Sequence, residues 1–97
     1  MIIIIIFIFI FFVSKTDFIK KLLFRSTHRG TKEMDLVLGG FFKNNYSSLT
    51  KSDLEEFDKL LEVSDKILTD YFVMKQPNLK LDSIGIIKKI KNYLEER

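Results

Sequence analysis

The chain has 97 residues, of which 46% are hydrophobic and 30% are charged, and its formal net charge is +3. A single hydrophobic core typically serves about 100 to 150 residues, so this length supports one domain. Because the sequence has no Cys, it excludes disulfides, zinc-thiolate sites and thiol nucleophiles. Its single His excludes a two-histidine metal helix. The sequence therefore predicts neither a metal site nor a set of catalytic residues.

Charge is arranged in three blocks along the chain. Residues 14–32 carry a net charge of +5, residues 33–74 carry −5, and residues 75–97 carry +3. This distribution favours docking onto a patterned protein surface, because the acidic middle block would repel a nucleic-acid backbone. The basic first block still leaves one alternative function, a small basic helical nucleic-acid-binding protein, whose affinity would fall steeply with salt.

The first thirteen residues, 1–13, are all apolar. As a helix they would extend about 20 Å, whereas a span across the hydrocarbon core needs about 20 residues, so no stable membrane insertion is expected. They also lack the basic start and small-residue cleavage site of a secretory signal. We expect an extension over 1–13 and a single helical domain over 14–97. The extension is interpreted first as a misassigned start or dispensable segment, then as an interfacial anchor or membrane tether, and last as a cleaved signal.

The first helix of the domain is predicted over about 16–27. The pattern from Ser14 to Asp17 fits a capping box, and Gly30 provides the stop. Helical spacing predicts an apolar face made of Phe18, Ile19, Leu22 and Leu23, with Lys20, Lys21 and Arg25 in solvent.

A second helix is predicted from about Thr31 to Tyr46. Its first turn contains acidic residues, which complement the helix dipole. Gly39 and Gly40 lie inside it at a cost of about 1 kcal/mol each relative to Ala, so they indicate close packing or a kink.

Three further helices complete the predicted all-α bundle of five helices on short turns. A capping box at Thr50 opens the third helix, and Ser64 and Asp65 open the fourth. Pro77 and Asn78 end the fourth, and Asp82 or Ser83 caps the last. The residues expected to face inward are Leu54, Phe57, Leu60, Leu61, Ile67, Leu68, Tyr71, Phe72, Met74, Ile84, Ile87, Ile90, Tyr93 and Leu94.

The densest group of mixed charges lies at the first turn. It comprises Arg25, His28, Arg29, Gly30, Lys32, Glu33 and Asp35. One interpretation is a helix stop followed by acids that match the dipole. The functional interpretation is a recognition surface, in which Gly30 allows close approach of a partner, Arg29 offers a two-pronged donor, and Glu33 accepts hydrogen bonds.

These residues resemble a known family. The run from Leu22 to Asp35 is similar to the signature of the FAD assembly factors of succinate dehydrogenase, whose hallmark is R-G-x-x-E. Here the hallmark reads Arg29-Gly30-Thr31-Lys32-Glu33. The resemblance covers about residues 16–94 and continues through Phe41, Phe42, Tyr46, Leu49, Phe57, Leu60, Leu61, Glu62 and Asp65.

The resemblance implies a compact five-helix, mainly antiparallel bundle that acts as an assembly chaperone and not as an enzyme. Such factors bind the flavoprotein subunit of succinate dehydrogenase before it joins its iron-sulfur partner, and they promote covalent attachment of FAD to a histidine of that subunit. FAD would therefore belong to the partner, with no cofactor tightly bound here and no cofactor-binding residues assigned. Carried over by position, the partner-binding residues are Arg29, Gly30, Glu33, Lys32, Asp35 and His28.

The resemblance also implies a protein that is a monomer when free, located in the bacterial cytoplasm or the mitochondrial matrix. The related fumarate reductase flavoprotein remains open as a second partner. The sequence departs from the family pattern at His28, Thr31, Ile67 and Tyr71, where a basic, an apolar, an acidic and a Trp residue are common. Tyr71 keeps an aromatic side chain at its position, which is consistent with the same fold.

Overall fold

The computed structural model describes the backbone of residues 2–96 and the side chains of residues 2–6 and 14–96. The elements in chain order are α1 (Ile2–Thr27), α2 (Lys32–Met34), a π-helical segment (Asp35–Gly39), α3 (Gly40–Asn45), a 3-10 turn (Tyr46–Ser48), α4 (Lys51–Leu60), α5 (Asp65–Phe72), α6 (Leu79–Asp82) and α7 (Gly85–Glu95). No β-strand occurs between residues 2 and 96, which confirms the all-α prediction. The α2, π-helical and α3 segments follow one another without a break, and α6 is a single turn. The longer helical units therefore agree with the predicted five.

Helix α1 begins much earlier than predicted. It runs from Ile2, so Ser14 lies inside the helix and does not cap it. A capping box marks a helix start only where the preceding chain leaves the helical conformation, and no Gly or Pro occurs between residues 2 and 27 to make it do so. The side chains of residues 2–6 are exposed. A helix of this length contributes about 39 Å to a molecule that is 54 Å long and 24 Å across.

None of the helices within the described part of the chain combines the length and the apolar character that crossing a membrane requires.

The core is formed by one contiguous cluster of buried side chains from α1 to α7. Three phenylalanines lie at its centre, and the rings of Phe42 and Phe57 stack with centroids 4.8 Å apart. Removing an aromatic side chain from such a position typically costs about 3 to 5 kcal/mol. The fully buried large residues are Leu22, Met34, Leu38, Phe41, Phe42, Phe57, Leu60, Leu68, Ile86 and Ile90.

The two glycines of the second helical unit lie at close contacts between helices. A Cβ atom at Gly39 would lie 2.8 Å from Thr27 Cγ2 and 3.0 Å from the Ser26 carbonyl oxygen. A Cβ at Gly40 would lie 2.9 Å from the Tyr93 hydroxyl. Close packing was one of the two explanations that the sequence left open, and the structure confirms it. The π-helical segment ends at Gly39, so the widened turn coincides with the crossing of α1.

The second helical unit starts where it was predicted, with Thr31 as the N-cap of α2. Two further predicted helix starts are also confirmed. Thr50 and Asp53 form a reciprocal capping box with bonds of 3.1 and 3.0 Å, and α4 begins at the next residue, Lys51. Ser64 accepts a hydrogen bond from the Ile67 backbone N–H and caps α5. Both motifs are local in sequence, which is why the pattern alone predicted them.

The prediction for the last helix was wrong at its start. Asn78 caps an extra turn, α6, by accepting from the Leu81 N–H at 3.0 Å, and this turn contains Asp82. Helix α7 then begins at Gly85 with Ile84 as its N-cap, and no side chain caps it.

Two apolar residues that were predicted inward are exposed. Ile67 lies on α5 with 46% of its surface accessible, and Met74 follows the end of that helix at Phe72 with 63% accessible. The inward prediction for these two side chains was therefore wrong. The covered face of α5 is formed by Leu68, Tyr71 and Phe72, and Ile67 lies at the edge of this face.

Candidate functional site

The corner, residues 28–35, connects the end of α1 to the π-helical segment. Thr31 has extended backbone angles, and its hydroxyl accepts a hydrogen bond from the Met34 N–H at 3.3 Å, so it is the N-cap of α2. Asp35 Oδ1 accepts a hydrogen bond from the Arg29 N–H at 2.6 Å. Side chains that bond to backbone groups thus hold both halves of the corner.

The Arg29 side chain turns inward and joins the corner to the turn between α4 and α5. Its Nε donates to Asp65 Oδ1 at 2.8 Å, and its two terminal nitrogens donate to the carbonyl oxygens of Leu61 and Val63 at 2.5 and 2.7 Å. Only 12% of the side chain is exposed. The sequence suggested a guanidinium that is open to a partner, whereas in the structure groups of this chain occupy its donors.

Gly30 lies directly against the Asp65 carboxylate. Its N–H donates to Asp65 Oδ2 at 2.7 Å, and a Cβ atom on residue 30 would lie 2.8 Å from the same oxygen. None of the glycines within residues 2–96 has a positive φ, so backbone conformation does not require glycine here. A Cβ at this position would instead require the Asp65 carboxylate to shift.

Lys32 and Glu33 point outward from the first turn of α2. Both side chains are exposed, and neither forms a hydrogen bond or an ion pair within the described part of the chain. Helix α2 packs against α5, and Thr31 caps its start. The two residues therefore present opposite charges to solvent from a fixed backbone, which suits recognition of a protein surface.

His28 is exposed at the first position of the corner. Its ring stacks on Phe24, with ring centroids 3.9 Å apart and planes inclined by 17°. Its Nδ1 lies 2.8 Å from the Phe24 carbonyl oxygen. Because a carbonyl oxygen can only accept a hydrogen bond, Nδ1 is the protonated ring nitrogen that donates it.

Phe24 is the residue of this region that sequence reasoning missed. It lies on the last turns of α1 with 61% of its surface exposed, although it is large and apolar. Its position four residues before His28 places the two on one helix face, and this spacing was the available signal. Large exposed aromatic side chains are enriched at protein interfaces.

Arg25 was predicted in solvent and is instead paired with Asp58 of helix α4 and with Glu62 in the turn that follows this helix. Its terminal nitrogens contact Asp58 Oδ1 at 2.5 Å and Glu62 Oε1 at 2.8 Å, and 28% of the side chain is exposed. The prediction was wrong because these carboxylates lie more than thirty positions away in the sequence. Two arginines of the basic first block, Arg25 and Arg29, are therefore neutralised by acids of the middle block.

Outside the corner, a cavity of about 320 Å³ lies beside a charged cluster of α5, α6 and α7. Tyr71 donates a hydrogen bond to Asp82, and Lys91 lies over the Tyr71 ring at 4.6 Å. Burial raises the pKa of the Tyr71 hydroxyl, and the bond to Asp82 raises it further. The same bond, together with Lys91, holds the pKa of Asp82 below its ordinary value. These groups compensate one another, so the cluster is a packing feature of α5 to α7.

Another compensated acid lies at the start of α4. Burial alone would raise the pKa of Asp53, but its bonds to Lys89 and Thr50 outweigh this and lower it. Within the described residues, no group of three His, Cys, Asp or Glu side chains is arranged to hold a metal ion.

Residues 20–94 match a family model described as the flavinator of succinate dehydrogenase. The chain belongs to this family. The matched range contains the whole corner and every helical element that follows it up to residue 94 of α7.

Curated relatives of this flavinator family include bacterial and mitochondrial proteins. The "FAD assembly factor SdhE" of Acetobacter pasteurianus is 38% identical over 58 residues, which are 60% of this chain and 53% of that protein. The "Succinate dehydrogenase assembly factor 2, mitochondrial" of Dictyostelium discoideum is 39% identical over 85 residues, with 72% of this chain and 60% of that protein covered. The "FAD assembly factor SdhE" of Coxiella burnetii is 34% identical over 62 residues, with 64% and 76% covered.

The chain spans about half to two thirds of the length of the first of these flavinator relatives. No solved structure matches it.

Proposed function

We propose that the chain is an assembly factor for succinate dehydrogenase, which binds the flavoprotein subunit and promotes covalent attachment of FAD to it. Family membership and the names of the relatives support a role in assembly of this enzyme. The observation that carries the choice of surface is the corner, which holds two exposed, oppositely charged side chains on a backbone fixed from within. Lys32 and Glu33 are these side chains.

In this proposal the factor acts by positioning and forms no bond with the flavin itself. Holding a mobile domain of the flavoprotein and its flavin in an attachment-competent arrangement lowers the barrier to a reaction that occurs within the partner. FAD then belongs to the flavoprotein, and the factor has no tightly bound cofactor of its own. His28 is the sole His of the chain, and its Nδ1 donates to a backbone carbonyl. We therefore assign it a structural role or a contact with the partner.

The residues of the corner have two distinct roles in the proposed interface. Lys32, Glu33 and the stacked pair of Phe24 and His28 are exposed and contact the partner. Arg29, Gly30 and Asp35 lie behind them and hold the corner in shape. All six residues assigned from the family resemblance thus belong to the proposed site, but only three of them touch the flavoprotein through their side chains.

We propose that the chain acts in the cytoplasm if it is bacterial, or in the mitochondrial matrix if it is eukaryotic, and that it is a monomer when free. Nucleic-acid binding is the weaker hypothesis, since ion pairs within the chain consume the positive charge of Arg25 and Arg29. Binding to a DNA duplex that weakened about 1,000-fold between 50 and 200 mM salt would support it instead.

Replacing Glu33 by Ala tests the proposed surface. The variant removes an exposed carboxylate that forms no hydrogen bond or ion pair with the described residues, so folding should be unaffected. We expect the affinity for the isolated flavoprotein subunit to fall about tenfold, as measured by isothermal titration calorimetry.

Glu55→Ala is the matched control for this experiment. Glu55 is also an exposed carboxylate near a helix start, but it lines a groove with Ser14 and Phe18, well before the end of α1 at Thr27. Its affinity should equal that of the unmodified chain. Equal affinities for Glu33→Ala and Glu55→Ala would remove the corner from the interface, and no binding by the unmodified chain would overturn the proposed function.

A further inference from the structure

We propose that Asp65 is the positioning residue of the corner, and that residue 30 is glycine because Asp65 lies against it, not because a partner does. The inference rests on the proposed function, since it concerns how the docking surface acquires its shape. Its starting point is that one carboxylate accepts bonds from two consecutive residues. Oδ1 accepts from Arg29 Nε at 2.8 Å and Oδ2 accepts from the Gly30 N–H at 2.7 Å.

The Asp65 carboxylate is held in a fixed position. Its side chain and that of Arg29 are 19% and 12% exposed, so this ion pair is largely withdrawn from solvent. The remaining donors of Arg29 bind the carbonyl oxygens of Leu61 and Val63. Charge-assisted bonds of this kind are shorter and stronger than neutral ones, and a largely buried pair is screened little by salt. The turn between α4 and α5 and the corner therefore form one unit.

The unit formed by the corner and the turn between α4 and α5 determines the positions of Lys32 and Glu33. Asp65 is the first residue of α5, and α5 packs against α2. The Gly30 N–H bonds to Asp65, and the N–H of the preceding residue, Arg29, donates to Asp35 at the far end of α2. A shift of residues 29 and 30 away from Asp65 would consequently displace both ends of the short helix that carries the exposed pair.

The surroundings of Gly30 show which atoms a side chain at this position would meet. A Cβ atom on residue 30 would lie 2.8 Å from Asp65 Oδ2 and 4.0 Å from Asp65 Cγ. Beyond these two atoms of one side chain, the described structure places no other non-neighbouring atom within 4 Å of that position. The Asp65 oxygen cannot move aside freely, because moving it breaks its bond to the Gly30 N–H and disturbs its partner Arg29. A methyl group on residue 30 is thus excluded by Asp65 alone.

A double-mutant cycle on Gly30 and Asp65 tests the proposal. The Gly30→Ala, Asp65→Ala and doubly substituted chains are titrated with the isolated flavoprotein subunit. We expect each single substitution to weaken binding about tenfold, because each separates the corner from α5. The double variant should bind no more weakly than Asp65→Ala alone, because its alanine at position 30 meets no carboxylate.

In the opposing outcome, the double variant loses affinity by the product of the two single losses, which is about 100-fold. This result would mean that residue 30 touches the flavoprotein itself, and it would overturn the inference while leaving the proposed function intact. Failure of the unmodified chain to bind the flavoprotein would overturn the proposed function, and the inference with it. The two failures are therefore distinguishable.

Two controls separate positioning from general loss of stability. Ile90→Val removes a buried methyl group from α7 and should lower the urea midpoint without weakening binding. Asp65→Asn keeps an acceptor for one bond but places an amide against the other donor, so it should weaken binding even if Asp65→Ala fails to fold. Full affinity of a folded Asp65→Asn chain would also overturn the proposal.

Discussion

At the scale of single residues, Gly39 shows how closely the helices approach. The space for a Cβ atom is bounded by Thr27 Cγ2 at 2.8 Å, by the Ser26 carbonyl oxygen at 3.0 Å and by Thr27 Cα at 3.3 Å. Two of these three atoms belong to backbone. They cannot be relieved by a change of rotamer, so a methyl group would force α1 and the π-helical segment apart.

We expect Gly39→Ala to lower the free energy of unfolding by about 2 kcal/mol, although Ala is the better helix former. The measurement is urea denaturation followed by circular dichroism. Gly85→Ala is the matched control, because the atoms nearest a Cβ there belong to the Glu56 carboxylate, at 3.1 Å. This carboxylate accepts a hydrogen bond from the Gly85 N–H at 3.1 Å but has no arginine partner among the described residues, so the longer Glu56 side chain can shift at the cost of that one bond. The effect of Gly85→Ala should stay below about 1 kcal/mol. Equal losses for the two variants would contradict the packing described here.

Residues whose partners are distant in sequence were the ones that the sequence could not place. Arg25 and Arg29 bind acids and carbonyls 32 to 37 positions away, and no local pattern specifies such contacts. The sequence drew attention to Gly30 but could not indicate its contact with Asp65, because Asp65 is 35 positions away.

At the scale of elements, two similar sequence patterns had opposite outcomes. Thr50 to Asp53 is a capping box that starts α4, whereas the pattern beginning at Ser14 lies within α1. The difference lies upstream of each pattern. Leu49 and Thr50 have extended backbone angles that break the chain before α4, while the residues before Ser14 are already helical.

This contrast predicts opposite consequences for two chemically similar substitutions. Thr50→Ala should lower the free energy of unfolding by about 1 kcal/mol, because the Asp53 N–H loses its acceptor. Ser14→Ala should change it by less than about 0.5 kcal/mol, since Ser14 is an exposed position inside a helix. Thermal and urea unfolding of the two variants side by side would decide this. A loss at Ser14 as large as that at Thr50 would mean that α1 starts where the sequence pattern placed it.

At the scale of the whole molecule, the all-α class and most of the core could be predicted from helical spacing. The stripes of Leu and Phe on α4 and of Ile on α7 are buried as expected. The inward predictions for Ile67 and Met74 were wrong because apolar character alone does not indicate which side of a short helix is covered, or where the helix ends. The added turn α6 arises from one side-chain bond of Asn78, a local capping signal that competed with Asp82 and Ser83.

The arrangement of the corner can be understood only from the whole molecule. Its residues were predicted as a group because they are contiguous in the sequence, but their division into exposed and supporting members depends on α5. The opposite charges of the first and middle blocks meet at Arg25 and Arg29, so the bipolar sequence is in part a means of holding helices together. What remains exposed at the corner is a small surface of mixed charge beside an aromatic pair.

The central claim is that this chain promotes covalent attachment of FAD to the flavoprotein subunit through its corner. In-gel flavin fluorescence of the denatured subunit, produced in cells that lack their own assembly factor, tests this most directly. We predict strong fluorescence when the unmodified chain or Glu55→Ala is supplied, and reduced fluorescence with Glu33→Ala. Fluorescence that is the same with the unmodified chain as with none would contradict the account.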